Sequence, residues 1–233
     1  VKVAKHGGRS VSSKCGSADV LEALGVNVNL TPDKVASLVN EIGIAFMFAP
    51  NFHPAMRYAA PVRKKLGIRT IFNVLGPLAN PALATRQVLG VYDKSLTQTM
   101  AEVLSKLGSE HVMVVHGEDG MDEISISSPT TVTELKNKTI TTYTIKPTDF
   151  GLDLADLKTI QVENADASKA MMIDVLKGNH GAHRNITILN AGAAIYVSGI
   201  SSTLKEGIEK AVSVIDQGLS LKKLEALKVA SHG

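Results

Sequence analysis

No tryptophan occurs among the 233 residues, and aromatics of every kind make up only 4%. That scarcity excludes the stacking platforms on which single-strand binders seat successive bases. One cysteine, Cys15, leaves no internal disulfide to form and fits a reducing compartment. The longest apolar run, Ile44 to Pro50, is far too short to span a bilayer, and no signal-peptide pattern is legible. An excess of one charge is missing as well. The 25 basic and 22 acidic side chains leave +3, too little and too scattered for a nucleic-acid surface. These absences point away from nucleic acid and membrane, toward a cytoplasmic protein that handles small molecules.

What is present describes a globular chain with a well-buried core, 44% hydrophobic and 20% charged. There is no internal repeat, low-complexity segment or linker, so residues 1–233 are expected to form one domain. Strand and helix patterns alternate, the mark of an α/β fold. Val1 to Ala4 reads as the end of a buried strand. Ser17 reads as the N-cap of a helix through Leu24, with Gly25 at C′. "LTPDKVASLVNEIG" is a second helix: Thr31 caps it, Pro32 sits at N1, and Val35, Leu38, Val39 and Ile42 form its apolar face. "IAFMFAP" is apolar on both faces, as a central strand would be. "HPAMRYAAPVRKKLG" predicts a helix that Pro61 kinks or restarts, and "NVLGPLANP" a tight turn. A strand over 87–92, a helix over 95–107 and a strand over 111–116 follow. "TVTELKNKTITTYTI" predicts a hairpin turning at Lys136 to Lys138. Helices are expected near 166–177, 183–198, 203–217 and 220–229.

Three stretches carry chemistry. The loop from Lys5 to Gly16 holds three glycines, the hydroxyls of Ser10, Ser12 and Ser13, and the charges of Lys5, Arg9 and Lys14, with Ser17 just beyond it. Glycines admit close backbone approach, and hydroxyl and cationic donors suit an anion, so the loop reads as an anion cradle. Neither the Walker pattern nor the dinucleotide fingerprint fits it. Cys15 reads as a packing residue, although its neighbour Lys14 and the helix start beyond it would favour a lowered pKa. In "VVHGEDGMDEIS" a strand end is followed by Glu118, Asp119, Asp122 and Glu123. Adjacent Asp122 and Glu123 suit a hard cation held through water beside phosphates, and a solvated acidic turn is the plainer alternative. A magnesium-bound polyphosphate needs a basic loop and an acidic one. In the third stretch His53 and Pro54 follow the strand at 44–49, and Arg57, Arg63 and Arg69 follow in turn; any of these arginines suits a carboxylate. His53 and His116 read equally well as packing histidines.

The segments "KVAKHGGRSVSSKCGSADVLEALG", "HPAMRYAAPVRKKLGIRTIFNVLGPLANP" and "VVHGEDGMDEIS" together resemble the anthranilate phosphoribosyltransferases, over nearly the whole chain and in the right order. The resemblance implies a three-layer α/β/α fold with a largely parallel mixed sheet, of the nucleoside phosphorylase and phosphoribosyltransferase catalytic-domain type. It implies transfer of a phosphoribosyl group from 5-phosphoribosyl diphosphate (PRPP) to anthranilate, in tryptophan biosynthesis, with release of diphosphate. By the same resemblance Lys5, His6, Gly7, Gly8, Arg9, Ser10, Val11, Ser12, Ser13 and Ser17 hold PRPP, with Lys5 at the diphosphate. Gly8, His53, Arg63 and Pro77 line the anthranilate site, and Asp122 and Glu123 bind Mg2+. No residue is assigned as general acid or base, because the aniline nitrogen is already a neutral nucleophile.

The sequence departs from the family in two ways. Gly8 stands where the family has an asparagine that contacts anthranilate, which puts anthranilate affinity in doubt more than PRPP binding. The family's N-terminal helices, its Gly-Thr-Gly-Gly-Asp turn and an Asn-x-Ser-Thr stretch precede the equivalent of Val1. The 233-residue chain is therefore expected to be a nearly inactive fragment, with residues 17–42 near a hinge and the full-length protein a homodimer. A pyrimidine nucleoside phosphorylase and a non-catalytic PRPP-binding relative are the alternatives.

Overall fold

The computed structural model describes residues 1–9, 15–55, 58, 65 and 72–233. The helix expected around Pro61 lies outside them. They form two compact units, the first from Val1–Leu83, Val162–Ile173 and Ser220–Gly233, the second from Ala84–Gln161 and Asp174–Leu219.

In the first unit, β1 (Val3–Gly7) pairs in parallel with β2 (Ile44–Phe48), which sets Lys5 opposite Phe46 and Gly7 opposite Phe48. Ala45 to Phe48 are buried, as their all-apolar pattern requires. β1 corrects the expectation of a buried strand at 1–4. It starts at Val3, which is 41% exposed, because among the described residues it pairs only with β2 and keeps an open edge. The cap of helix α1 (Ser17–Ala23) lies one residue earlier than expected. Gly16 is the N-cap, its N–H donating to Asp19 at 2.9 Å, and Ser17 is the first helical residue. Helix α2 (Pro32–Glu41) forms as its sequence dictates. Thr31 accepts the Lys34 N–H at 3.3 Å, Pro32 occupies the first turn, Val35 and Leu38 are buried, and Gly43 follows at φ +83°. A short helix α3 (Ala49–Phe52) leaves β2.

The expected turn at 73–81 is instead helix α4 (Phe72–Leu78), with Pro77 inside it. Pro77 sits near the helix's end, so only one bond is lost there, and the Ala79 N–H closes on the Leu75 carbonyl at 3.0 Å beyond it. The reversal comes after the helix, where Asn80 accepts the Ala82 N–H at 2.9 Å and Leu83 adopts φ +50°.

The second unit carries a four-stranded mixed sheet in the order β3 (Arg86–Gly90), β4 (His111–Gly117), β5 (Thr130–Lys136), β6 (Thr139–Ile145). β3 and β4 are parallel and joined through α5 (Leu96–Lys106); the other two pairings are antiparallel. The hairpin turns at Asn137 and Lys138, with φ +51° and +63°, the left-handed pair that matches strand twist. Val112 to Val115 are all within 1% of complete burial, as befits β4, which lies between β3 and β5 in the interior of this sheet. Helices α6 (Ala165–Leu176), α7 (Ala182–Val197), α8 (Leu204–Asp216) and α9 (Leu219–His232) complete the chain. α7 and α8 approach closely at two glycines: a Cβ on Gly207 would lie 2.3 Å from the Gly192 carbonyl oxygen. Met113, Val115, Ile124, Val132 and Leu189 form one core cluster, each such side chain contributing about 1.5–3 kcal/mol through burial.

Candidate active site

Lys5 leaves β1 beside the start of α1. Its ammonium donates to Ser17 Oγ at 3.4 Å and lies 5.7 Å from the Phe46 ring centroid. Gly7 is closely confined: a Cβ there would come within 2.9 Å of Ser17 Oγ and 3.1 Å of the Phe46 ring, so these side chains would have to shift. A Cβ at Gly8 would meet nothing within 4 Å among the described residues, and the Gly8 carbonyl accepts the Ala18 N–H at 3.3 Å. Lys5, Gly7, Gly8 and Ser17 therefore stand together where the sequence expects an anion loop.

Arg9 is differently placed from what charge alone suggests. Its guanidinium forks onto the Glu22 carboxylate, one arm at 2.7 Å, reaches Asp19 at 3.2 Å, and lies over the Phe48 ring at 5.5 Å. The hydrogen bonds to Glu22 and then Asp19 raise its pKa further. Cys15 is no activated thiol, since burial and then Asp19 push its pKa up. Ser10, Val11, Ser12, Ser13, Lys14, Arg57, Arg63 and Arg69 lie outside the described residues.

His6 and His53 meet edge to face, with ring centroids 4.9 Å apart at 74°. Nε2 of each is buried without a hydrogen-bond partner among the described residues. Burial, then the neighbouring His53 and Lys5, lowers the pKa of His6 and keeps its ring neutral. Two imidazoles packed edge to face, each with an unpartnered Nε2 among the described residues, suit a planar ligand that carries hydrogen-bonding groups. Pro77 sits in α4 of the same unit.

In the second unit the acidic loop leaves β4 at Gly117; Glu118 lies 4.0 Å from the Lys94 ammonium, and the other three acids separate into two kinds. Asp119 is consumed within the loop. It accepts from the hydroxyls of Ser125 and Ser127 and from the Met121 N–H at 3.1 Å. Burial pushes the Asp119 pKa up, but these hydrogen bonds outweigh it and hold the carboxyl below its ordinary range. Asp122 and Glu123 are exposed on the same loop. Two residues that sequence reasoning missed fix them. Asn190 clamps the next peptide, its side chain accepting the Ile124 N–H at 3.0 Å and donating to the Ile124 carbonyl at 2.9 Å. Gly90 of β3 lies so close that an added Cβ would sit 1.5 Å from the Asp122 carbonyl oxygen. His116 Nδ1 donates to the Val91 carbonyl at 2.8 Å and so ties the end of β4 to the segment after β3. Among the described residues no group of three histidine, cysteine, aspartate or glutamate side chains forms a metal cage. A pair of exposed carboxylates is a donor set for Mg2+ that keeps water and phosphate ligands.

A class is defined first by the glycosyl transferase family, a/b domain, which matches residues 1–221. An anthranilate phosphoribosyltransferase from Methylobacillus flagellatus is 58% identical over 231 residues, 99% of this chain and 68% of that protein. One from Nitrosomonas eutropha is 54% identical over 226 residues, 97% of this chain and 66% of its own length. The anthranilate phosphoribosyltransferase of Thermus thermophilus superposes with a TM-score of 0.93 at 41% identity, covering all of this chain and 69% of the other. The Saccharomyces cerevisiae enzyme, solved in complex with PRPP and Mg, gives 0.90 at 30% identity, covering all of this chain and 65% of the other. The chain belongs to the anthranilate phosphoribosyltransferase family, and it spans about two thirds of the length of these relatives. The α/β fold expected from the resemblance is the fold found. Among the described residues no helix is long and apolar enough to cross a membrane.

Proposed function

We propose that this protein transfers the phosphoribosyl group of PRPP to the amino group of anthranilate, giving N-(5-phosphoribosyl)anthranilate and diphosphate. The observation that carries the reading is the 58% identity over 231 residues, a span that includes the Lys5 loop, His53, Pro77, Asp122 and Glu123. Support also comes from the yeast relative, which was solved with PRPP and Mg and separately with 4-fluoroanthranilate.

Lys5, Gly7, Gly8 and Ser17 receive the diphosphate in this reading, Lys5 by charge and the glycines by letting the backbone come near. Ser10, Val11, Ser12 and Ser13 complete the cradle. Arg9 contributes through the position of its loop, since its guanidinium is spent on Glu22 and Asp19. Asp122 and Glu123 hold Mg2+, which when bound offsets the charge that grows on the leaving diphosphate. His6, His53, Pro77 and Arg63 seat anthranilate, with the two free imidazole nitrogens offered to its amino and carboxylate groups. Bond breaking at the anomeric carbon leaves an oxocarbenium-like ribose, so rate comes from stabilising the leaving charge and holding the amine in line. The chain needs no strong base for this. A homodimer and a cytoplasmic setting complete the reading for the whole protein.

Incubation of the whole protein with PRPP, anthranilate and Mg2+, followed by mass spectrometry, tests it. N-(5-phosphoribosyl)anthranilate and one equivalent of diphosphate are expected. Phosphorolysis of thymidine or uridine with indifference to anthranilate would establish the nucleoside phosphorylase instead.

A further inference from the structure

The end of β4 opposite the acidic loop opens onto a cavity of about 570 Å3 within the second unit. Arg86, His111, Lys136, Lys138, Tyr196 and Ser201 line it. No residue of the phosphoribosyl site is among them. The length of β4, His111 to Gly117, separates the cavity from the loop of Asp122 and Glu123 by roughly 20 Å.

One wall is buried and fully paired. Glu134, 7% exposed, accepts from His111 Nε2 at 2.7 Å and from the Tyr143 hydroxyl at 2.8 Å, and the Tyr196 hydroxyl adds a third contact. Its carboxylate is satisfied by these donors, and the His111 ring packs edge to face on Tyr196 at 4.8 Å. Arg86 is also committed, to the Val197 carbonyl at 2.9 Å and to Glu110 at 3.0 Å. Glu110 therefore cancels Arg86 and leaves the two lysines.

Lys136 donates to the Tyr196 hydroxyl at 2.9 Å and lies 4.6 Å from that ring's centroid, which uses one of three ammonium donors. The left-handed turn at Asn137 and Lys138 brings Lys138 onto the same rim, where it makes no ion pair among the described residues. Ser201 is 7% exposed, and its hydroxyl has no hydrogen-bond partner among the described residues. Two ammonium groups and an amide thus line one space, with the buried, unpaired Ser201 hydroxyl in its wall. A carboxylate would favour a guanidinium fork, whose two arms the Val197 carbonyl and Glu110 have taken; point charges with a hydroxyl suit a tetrahedral dianion.

We propose that this cavity is a second anion site, which takes the phosphate group of a small phosphorylated molecule on Lys136, Lys138 and Ser201. Inorganic phosphate is the probe, titrated into the uniformly 15N-labelled protein. Saturable shifts of the Asn137, Lys138, Gly199 and Ser201 amides are expected. Lys136→Met combined with Lys138→Gln should weaken that binding at least about tenfold. Phosphate held by the Lys5 loop reports separately on Gly7 and Gly8, so failure of the phosphoribosyl reading does not touch this result. Lys138→Gln alone alters only an exposed turn and should still weaken binding about threefold. Shifts confined to Gly7 and Gly8, non-saturating shifts at 137–138 and 199–201, or unchanged affinity in Lys138→Gln would overturn the site.

Discussion

Arg9 grips Glu22 through both arms of its guanidinium, and the loop that begins at Lys5 is thereby fastened to helix α1. A basic residue that sequence places among phosphate ligands spends its charge on holding the loop's shape. Glu22→Gln should therefore weaken PRPP binding several-fold, because the loop loses its anchor. Were Arg9 a direct phosphate ligand restrained by Glu22, the same substitution would strengthen binding. Calorimetric titration of PRPP decides the sign.

Gly90 fixes the acidic loop from beneath. Gly90→Ala places a methyl group inside the Asp122 backbone, so the loop must move. Overpacking of this kind costs about 1–3 kcal/mol. A lower urea midpoint is expected, together with loss of the Mg2+ dependence of PRPP binding.

A Cβ at Gly8 meets nothing among the described residues, so Gly8→Asn starts from an unobstructed position. Stability should not change, while one added amide contact lowers KM for anthranilate about two- to twelve-fold, equivalent to about 0.5–1.5 kcal/mol. Steady-state kinetics at saturating PRPP provide the measurement. An unchanged KM would mean that the anthranilate site is built without this position.

His111 and Glu134 give the second unit its acid sensitivity. Burial lowers the pKa of His111, against the opposing pull of Glu134 and with smaller contributions from Lys136 and Arg86. Burial pushes Glu134 up, but Tyr196, His111 and Tyr143 together hold it down. Both groups bind protons more weakly when folded, so stability rises with pH. It is lost first as pH falls below about 6.5, where unfolded His111 takes up its proton, and again below about 4.3 for Glu134. His111→Gln should flatten the change in urea midpoint between about pH 7.5 and 5.5. An equal change in both proteins would remove His111 from the account.

Much of this was legible in residues that govern their own backbone. Thr31, Pro32 and Gly43 delimit α2, and the strand and helix patterns from 87 to 116 fall within two residues of β3, α5 and β4. Pro77 misleads because proline only discourages helix, and a helix near its last turn tolerates it. The acids after β4 were visible as a group, but not their division. Asp119 is separated from Asp122 and Glu123 by serines that return to it from 125 and 127, which no local pattern encodes. The same holds for Arg9: Asp19 and Glu22 share a helix face by spacing, yet only the folded loop brings the guanidinium to them.

The central claim is that the Lys5 loop binds the diphosphate of PRPP while Asp122 and Glu123 bind its magnesium. Titration of PRPP in the presence and absence of Mg2+ tests it most directly, with Lys5→Met and the pair Asp122→Asn, Glu123→Gln as variants. Saturable binding that needs Mg2+ is predicted, weakened at least about tenfold by Lys5→Met and made indifferent to Mg2+ by the acidic pair. PRPP binding of equal strength in Lys5→Met, or wild-type binding that ignores Mg2+, would contradict it.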